Sequence, residues 1–166
     1  MDPDKVIGVD LGINRPLSFA REDGSFVTQI DIGGKIQHTR MSIYKQRRSI
    51  QKALKTSIGG HGRTKKMKKL DSLKSYEANC MKSFNDNISR SLIKYCVDNG
   101  VGVIKMEDLT GITKDVDNYF LKSWAYFQLQ TMIDYKAKEY GIEVLYVEPK
   151  NTSRTCPTCG NVDKEQ

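Results

Sequence analysis

Hydrophobic and polar positions alternate along this chain in two distinct periods. In KVIGVDLG (5–12) the apolar residues are Val- and Ile-rich and the run ends in glycine, as in a buried strand. PLSFARE (16–22) and FVTQIDI (26–32) follow, joined by the turn DGS, and predict three adjacent antiparallel strands. Residues 37–57 lack proline and glycine and are rich in Arg, Lys and Gln, which favours helix. SIGGHGR (57–63) breaks that helix, and a second is predicted from Thr64 to about Tyr95. Tyr76, Cys80, Phe84, Ile88, Leu92 and Cys96 recur every four residues along it and read as one apolar stripe, with DNG (98–100) as its stop. VGVIKMED (101–108) is a second buried-strand candidate. Leu121 to Tyr140 repeats a helical spacing through Trp124, Ala125, Leu129, Met132, Ile133 and Ala137, and IEVLYVEP (142–149) reads as a third buried strand. The order βββ, α, β, α, β predicts an α/β fold in which helices return the chain to one sheet.

With 166 residues, 38% of them hydrophobic and 28% charged, the chain can bury a single core. No run approaches the roughly 18 apolar residues of a membrane span. The start, MDPDKVIGVD, carries no basic segment followed by an apolar one, so export is not expected and a cytoplasmic setting is. Four cysteines in such a chain favour thiols or metal ligation over disulfides. Cys80 and Cys96 belong to the helical stripe and read as small core residues. Trp124 likewise reads as core, and His38 and His61 as polar surface or phosphate contacts.

Charge changes the picture most. Residues 40–74 hold 12 basic side chains against the single acid Asp71, while the rest of the chain holds 15 basic and 19 acidic residues. The whole excess therefore sits in one helical segment, 37–75. A solvated helix face is the plain explanation for a charge run. A block with almost no interleaved acids repels itself, however, and a polyanion that releases its counterions is the better-matched partner. The candidate contacts are Arg40, Lys45, Arg47, Arg48, Lys52, Lys55, Arg63, Lys65, Lys66, Lys68 and Lys69.

Two acids stand at strand ends. Asp10 lies in VIGVDLG among apolar neighbours that are expected to be covered on both faces, where an ionised carboxylate needs a pair, hydrogen bonds or a cation. Gly8 and Gly12 leave room beside it. A metal-binding carboxylate and a cap for the turn before INRP are both compatible with this pattern. Glu107 ends the strand VGVIKME on the face of Lys105 and Val103, with Asp108 on the opposite face. Alternation alone leaves open which of the two acids meets Asp10. Neighbouring carboxylates suit Mg²⁺, which keeps waters and accepts phosphate oxygens, and a pair of such ions hydrolyses phosphodiesters.

Taken together, IGVDLGINRPLSFA, VIKMEDLTGI, SWAYFQLQTMIDYKAKEYGIEVLYVEP and TSRTCPTCG resemble the RuvC-type nuclease domain of transposon-encoded TnpB (OrfB) proteins and of compact type V CRISPR effectors. The resemblance covers nearly the whole chain in matching order. It implies an RNase H-like five-stranded mixed sheet with helices on both sides, and Mg²⁺-dependent, RNA-guided cleavage of DNA. It assigns Asp10 as the first catalytic carboxylate and Glu107 as the second, and it sets the basic helices near a guide RNA–target DNA heteroduplex, whose backbones the protein need only hold.

Two departures from that family shape the expectation. Its third catalytic Asp follows a second Cys-x-x-Cys pair, and both would lie beyond Gln166; Asp163 falls within the first knuckle and does not replace it. Guide-binding and target-recognition domains precede the nuclease in the family, whereas the first strand here begins by Lys5. The expected organisation is a RuvC-like domain over 1–150 and half of a zinc ribbon over 151–166, as in an internal fragment or truncated reading frame that needs flanking domains or a second chain. Cys156 and Cys159 would supply two of four zinc sulfurs and so hold Zn²⁺ weakly. A redox Cys-x-x-Cys fits less well, because GNVD and no apolar helix follows. Besides a nuclease domain inactive by itself, the sequence admits a non-cleaving nucleic-acid-binding form and a free-standing RNase H-like nuclease.

Overall fold

The computed structural model describes residues 1–12, 15–21, 24, 27–108 and 126–147. Five strands form one sheet in the order β3-β2-β1-β4-β5. Strands β1 (Asp2–Asp10), β2 (Leu17–Arg21) and β3 (Val27–Ile30) are antiparallel neighbours. β4 (Val101–Glu107) lies parallel to β1, and β5 (Glu143–Val147) parallel to β4. Close approach of β1 and β4 depends on Gly102, where an added Cβ would collide with the Asp2 carbonyl. This mixed sheet with flanking helices is the RNase H-like, RuvC-type arrangement.

Alternation along β1 sends Ile7 and Val9 into the core and leaves Gly8 and Asp10 exposed. With Leu17, Phe19, Ile104 and Met106 they form one buried cluster, which the helices join through Ile36, Ile88, Leu92, Leu129 and Ile133. The three described helices therefore cover one face of the sheet. β5 is not the buried strand that its composition predicts. Leu145, Tyr146 and Val147 are 39%, 43% and 44% exposed, because β5 is an edge strand paired only with β4 among the described residues.

α1 spans Gly33–Lys55, four residues earlier at its start than predicted; the Ile36 N–H already donates to the Ile32 carbonyl at 3.1 Å. Its buried positions Ile36, Arg40 and Ile43 follow helical spacing, with an arginine in a core slot. α2 spans His61–Asn99 and ends where Gly100 adopts φ 70°, a left-handed cap that glycine accepts without a steric penalty. At 39 residues and about 1.5 Å per residue it is roughly 58 Å long.

The four-residue stripe predicted on α2 holds only in part. Ile88, Leu92 and Cys96 are buried, but Tyr76 is 55% exposed. Steps of four advance about 40° too far on a helix of 3.6 residues per turn, so the row from Cys96 back to Tyr76 winds off the core face. The buried set is Met81, Asn85, Ile88, Ser89, Leu92, Ile93 and Cys96, which alternates threes and fours. α3 spans Tyr126–Glu139 and buries Leu129, Met132, Ile133 and Ala137. Leu121, Trp124 and Ala125 of the predicted helix lie outside the described residues, and Tyr140 is exposed beyond its end.

Polar groups fasten α3 to the rest. The Lys136 ammonium is buried and donates to Asp86 Oδ1 (2.7 Å), the Asp86 carbonyl (3.0 Å) and Ser89 Oγ (2.8 Å). Asn85 donates to Gln128 Oε1 at 3.1 Å, and Gln130 donates to the Glu107 carbonyl at 2.9 Å. The last bond ties α3 directly to the end of β4. No described helix is long and apolar enough to cross a membrane.

Candidate active site and nucleic-acid interface

The sheet's second face carries the acids. Along the parallel β1–β4 ladder Gly8 pairs with Lys105 and Val9 with Met106, and the next step sets Asp10 beside Glu107. Paired residues of neighbouring strands point to the same face, and adjacent strands lie about 4.8 Å apart. Val9 and Met106 enter the core, so Asp10 and Glu107 project from the opposite face. Ser18 pairs with Asp10 from β2, and Val147 with Glu107 from β5. These residues, with Gly8, Ala20 and Lys105, line an open cleft of about 570 Å³.

Asp10 is exposed, contrary to the expectation that both faces of its strand are covered. Desolvation therefore does not demand a cation there; the adjacent Glu107 carboxylate is what favours one. The following turn is closed by backbone, with Gly12 N–H donating to the Arg15 carbonyl at 3.2 Å. Asp108 lies past the end of β4, and its N–H donates to the Val147 carbonyl at 2.9 Å, extending the β4–β5 pairing.

The donors fit Mg²⁺ in kind. Two carboxylates with a hydroxyl nearby, in a cleft wide enough for waters and a phosphate, are the hard oxygen ligands this ion accepts. Among the described residues no group of three or more His, Cys, Asp or Glu side chains is gathered for a metal, so the described cleft supplies two carboxylates. Cys156 and Cys159 lie outside the described residues, as does the whole 151–166 segment.

α1 and the first half of α2 form a basic helical hairpin. Lys45, Arg48, Lys52, Lys55, Lys65, Lys68 and Lys69 are exposed on it, and Arg48 donates to Tyr44 Oη at 3.1 Å. Arg40 is a correction. It is 2% exposed, with Nε 3.6 Å from Glu77 Oε1, so its guanidinium stands inside the protein and does not meet a phosphate at the surface. Arg47, less than a third exposed, pairs with the other oxygen of Glu77 at 3.1 Å.

Arg63 and Lys66 close the hairpin's tip. Arg63 donates to the carbonyls of Leu54 (3.1 Å) and Ser57 (3.3 Å), and Lys66 to the Ala53 carbonyl (3.3 Å) and Ser57 Oγ (2.7 Å). These cations satisfy the orphan carbonyls at the end of α1. Sequence reading missed Glu77, which lies just past the acid-poor block, and Gln130, whose bond to Glu107 joins elements far apart in the chain. His38 and His61 are both exposed.

A mixed five-stranded sheet with two acids on its open face, joined to a basic hairpin, gives the class as a RuvC-like fold. Residues 1–113 match the OrfB_IS605 family (probable transposase), and the chain belongs to it. Residues 126–166 match the Cas12f1-like TNB domain. The chain is 38% identical to the CRISPR-associated endodeoxyribonuclease Cas12f1 of Syntrophomonas palmitatica over 99% of its length and 33% of that protein. It is 36% identical to Cas12f1 of Sulfoacidibacillus thermotolerans over 98% of its length and 39% of the relative. A TnpB-like protein of Methanocaldococcus jannaschii is 32% identical over 89% of this chain and 53% of its own. The chain thus spans about a third of the Cas12f1 relatives.

Two solved structures share the fold along almost the whole chain. The Cas12f ternary complex superposes with a TM-score of 0.81 at 28% identity, over 99% of this chain and 32% of that one. The Cas12f1–sgRNA–target DNA complex gives 0.75 at 26%, over 98% and 41%.

Proposed function

We propose that this chain supplies the RuvC-like nuclease domain of an RNA-guided, Mg²⁺-dependent DNA endonuclease. The observation that carries the reading is the juxtaposition of Asp10 and Glu107 on the open face of the sheet. Its relatives are endodeoxyribonucleases, and a similar fold occurs in a complex with sgRNA and target DNA. Asp10 and Glu107 would hold Mg²⁺, which when bound lowers the pKa of water and offsets charge on a phosphodiester oxygen. The exposed lysines of the hairpin hold nucleic-acid backbone without reading bases, as suits a partner whose sequence is read by guide pairing. Such an enzyme works in the prokaryotic cytoplasm.

Family resemblance calls for a third Asp and a second cysteine pair, neither found in these 166 residues. A protein consisting of these residues alone is therefore expected to cleave weakly, with Cys156 and Cys159 holding Zn²⁺ at most as a half site. A second reading is a form that binds nucleic acid without cutting it. A cleavage assay on single-stranded DNA with Mg²⁺, run beside Asp10→Ala, separates both of these from a free-standing nuclease. Near-background cutting is expected from the 166 residues alone, with binding retained. Strong Asp10-dependent cutting would instead establish a free-standing nuclease.

A further inference from the structure

Lys105 lies in the same cleft as the two acids. Its side chain leaves β4 on the face of Glu107, two residues earlier, and its register partner on β1 is Gly8. A Cβ placed on Gly8 would have no neighbour within 4 Å, so the space beside the lysine stem is open. On the far side of Gly8, β2 presents only Ala20. The cleft is thus a trough floored by small residues, with Lys105 at one same-face position of the ladder and Asp10 and Glu107 at the next.

Resting on the metal-site reading above, we propose that Lys105 is a positioning residue that serves as exchangeable counter-cation of the cleft. Without metal its ammonium offsets the repulsion between Asp10 and Glu107. With a divalent cation held by the carboxylates, the Lys105 ammonium would be free to bind a non-bridging oxygen of a phosphodiester lying over Gly8. Charge is conserved in this exchange, since the lysine moves from carboxylate to phosphate as the carboxylates take the ion. Two opposed effects follow from one side chain: Lys105 weakens metal binding and strengthens nucleic-acid binding. A purely structural lysine would do neither, and a simple backbone contact would do only the second.

The test uses the whole 166-residue chain and two probes. Mn²⁺ binding is followed by water-proton relaxation, and binding of a fluorescent single-stranded oligonucleotide by anisotropy across a salt series, with Ca²⁺ present. Lys105→Met is expected to bind Mn²⁺ about threefold to tenfold more tightly and the oligonucleotide several-fold more weakly. The salt slope should fall by about 0.7, the loss of one phosphate contact on a single strand. Lys105→Arg, which keeps the charge, should leave both near wild type and stands in should the methionine variant not fold. Gly8→Val should fill the trough and weaken oligonucleotide binding alone. Unchanged Mn²⁺ affinity in Lys105→Met, with wild-type binding intact and lost in Asp10→Ala, overturns the role of Lys105 while sparing the metal site. Mn²⁺ binding that Asp10→Ala leaves unaltered overturns both.

Discussion

The two halves of α2 are made of one continuous helix and share almost nothing else. From Met81 to Cys96 it buries seven residues against the sheet and α3, including Ile88 at 1% and Leu92 at 0% exposure. From His61 to Cys80 it buries none, and carries Arg63, Lys65, Lys66, Lys68, Lys69 and Lys74. The first half therefore cannot owe its helical state to core burial, the usual source of helix stability in proteins. It is tied to α1 through Glu77 and its two arginines and through the tip bonds of Arg63 and Lys66, and its Leu70 and Leu73 are half-buried. A segment built so lightly and charged so heavily is suited to gain its remaining stability from a polyanion.

Matched truncations sharpen this contrast most. Leu92→Ala should cost about 3 kcal/mol or more, as for a fully buried leucine, whereas Leu70→Ala should cost under about 1 kcal/mol; urea unfolding measures both. Next comes the ion cluster at the junction. Glu77→Gln removes the carboxylate charge beside the buried guanidinium of Arg40 and should cost about 2–3 kcal/mol, whereas Arg40→Met, which removes the buried charge itself, should cost less. The reverse order would mean that Glu77 does not neutralise Arg40.

Acid titration probes the packed half. Hydrogen bonding from Lys136 holds the Asp86 carboxyl below the usual Asp range, outweighing the opposing effect of burial. A pKa lowered by folding contributes stability that is present above the unfolded value near 3.8 and is lost as pH falls through the folded value. Stability should therefore decline below about pH 4, and Asp86→Asn should flatten that decline while lowering stability at neutral pH. Smallest in stability is charge reversal of Lys65, Lys68 and Lys69, expected within about 0.5 kcal/mol because all three are exposed. The same variant should lower oligonucleotide affinity at least tenfold and reduce its salt slope by about 2. A normal salt slope would remove the hairpin tip from the interface.

Local patterns and non-local pairing explain what could be read in advance. Strand composition, the glycine breaks at 59–60 and the Gly100 stop are written in neighbouring residues, and the element order follows from them. Burial is not local. β5 has the composition of a core strand yet stands at the edge, and Arg40 has the charge of a surface residue yet fills a helical core position opposite Glu77. The fourfold row on α2 leaves the core face because a count of four differs from a helical turn, and the offset accumulates with length. At the cleft, Asp10 was visible from its glycine neighbours, but the choice of Glu107 or Asp108 as its neighbour depends on sheet register. That Lys105 faces Gly8 likewise depends on the register of β1 and β4.

The lack of any break in α2 has a mechanical consequence. With no proline, and its lone interior glycine confined to the first turn, the rod from His61 to Asn99 cannot bend freely where its two halves meet. A displacement of the tip is therefore carried along a stiff rod to Leu92 and Cys96, about 40 Å away at about 1.5 Å per residue, which share the core cluster with Ile7 of β1 and Ile104 of β4.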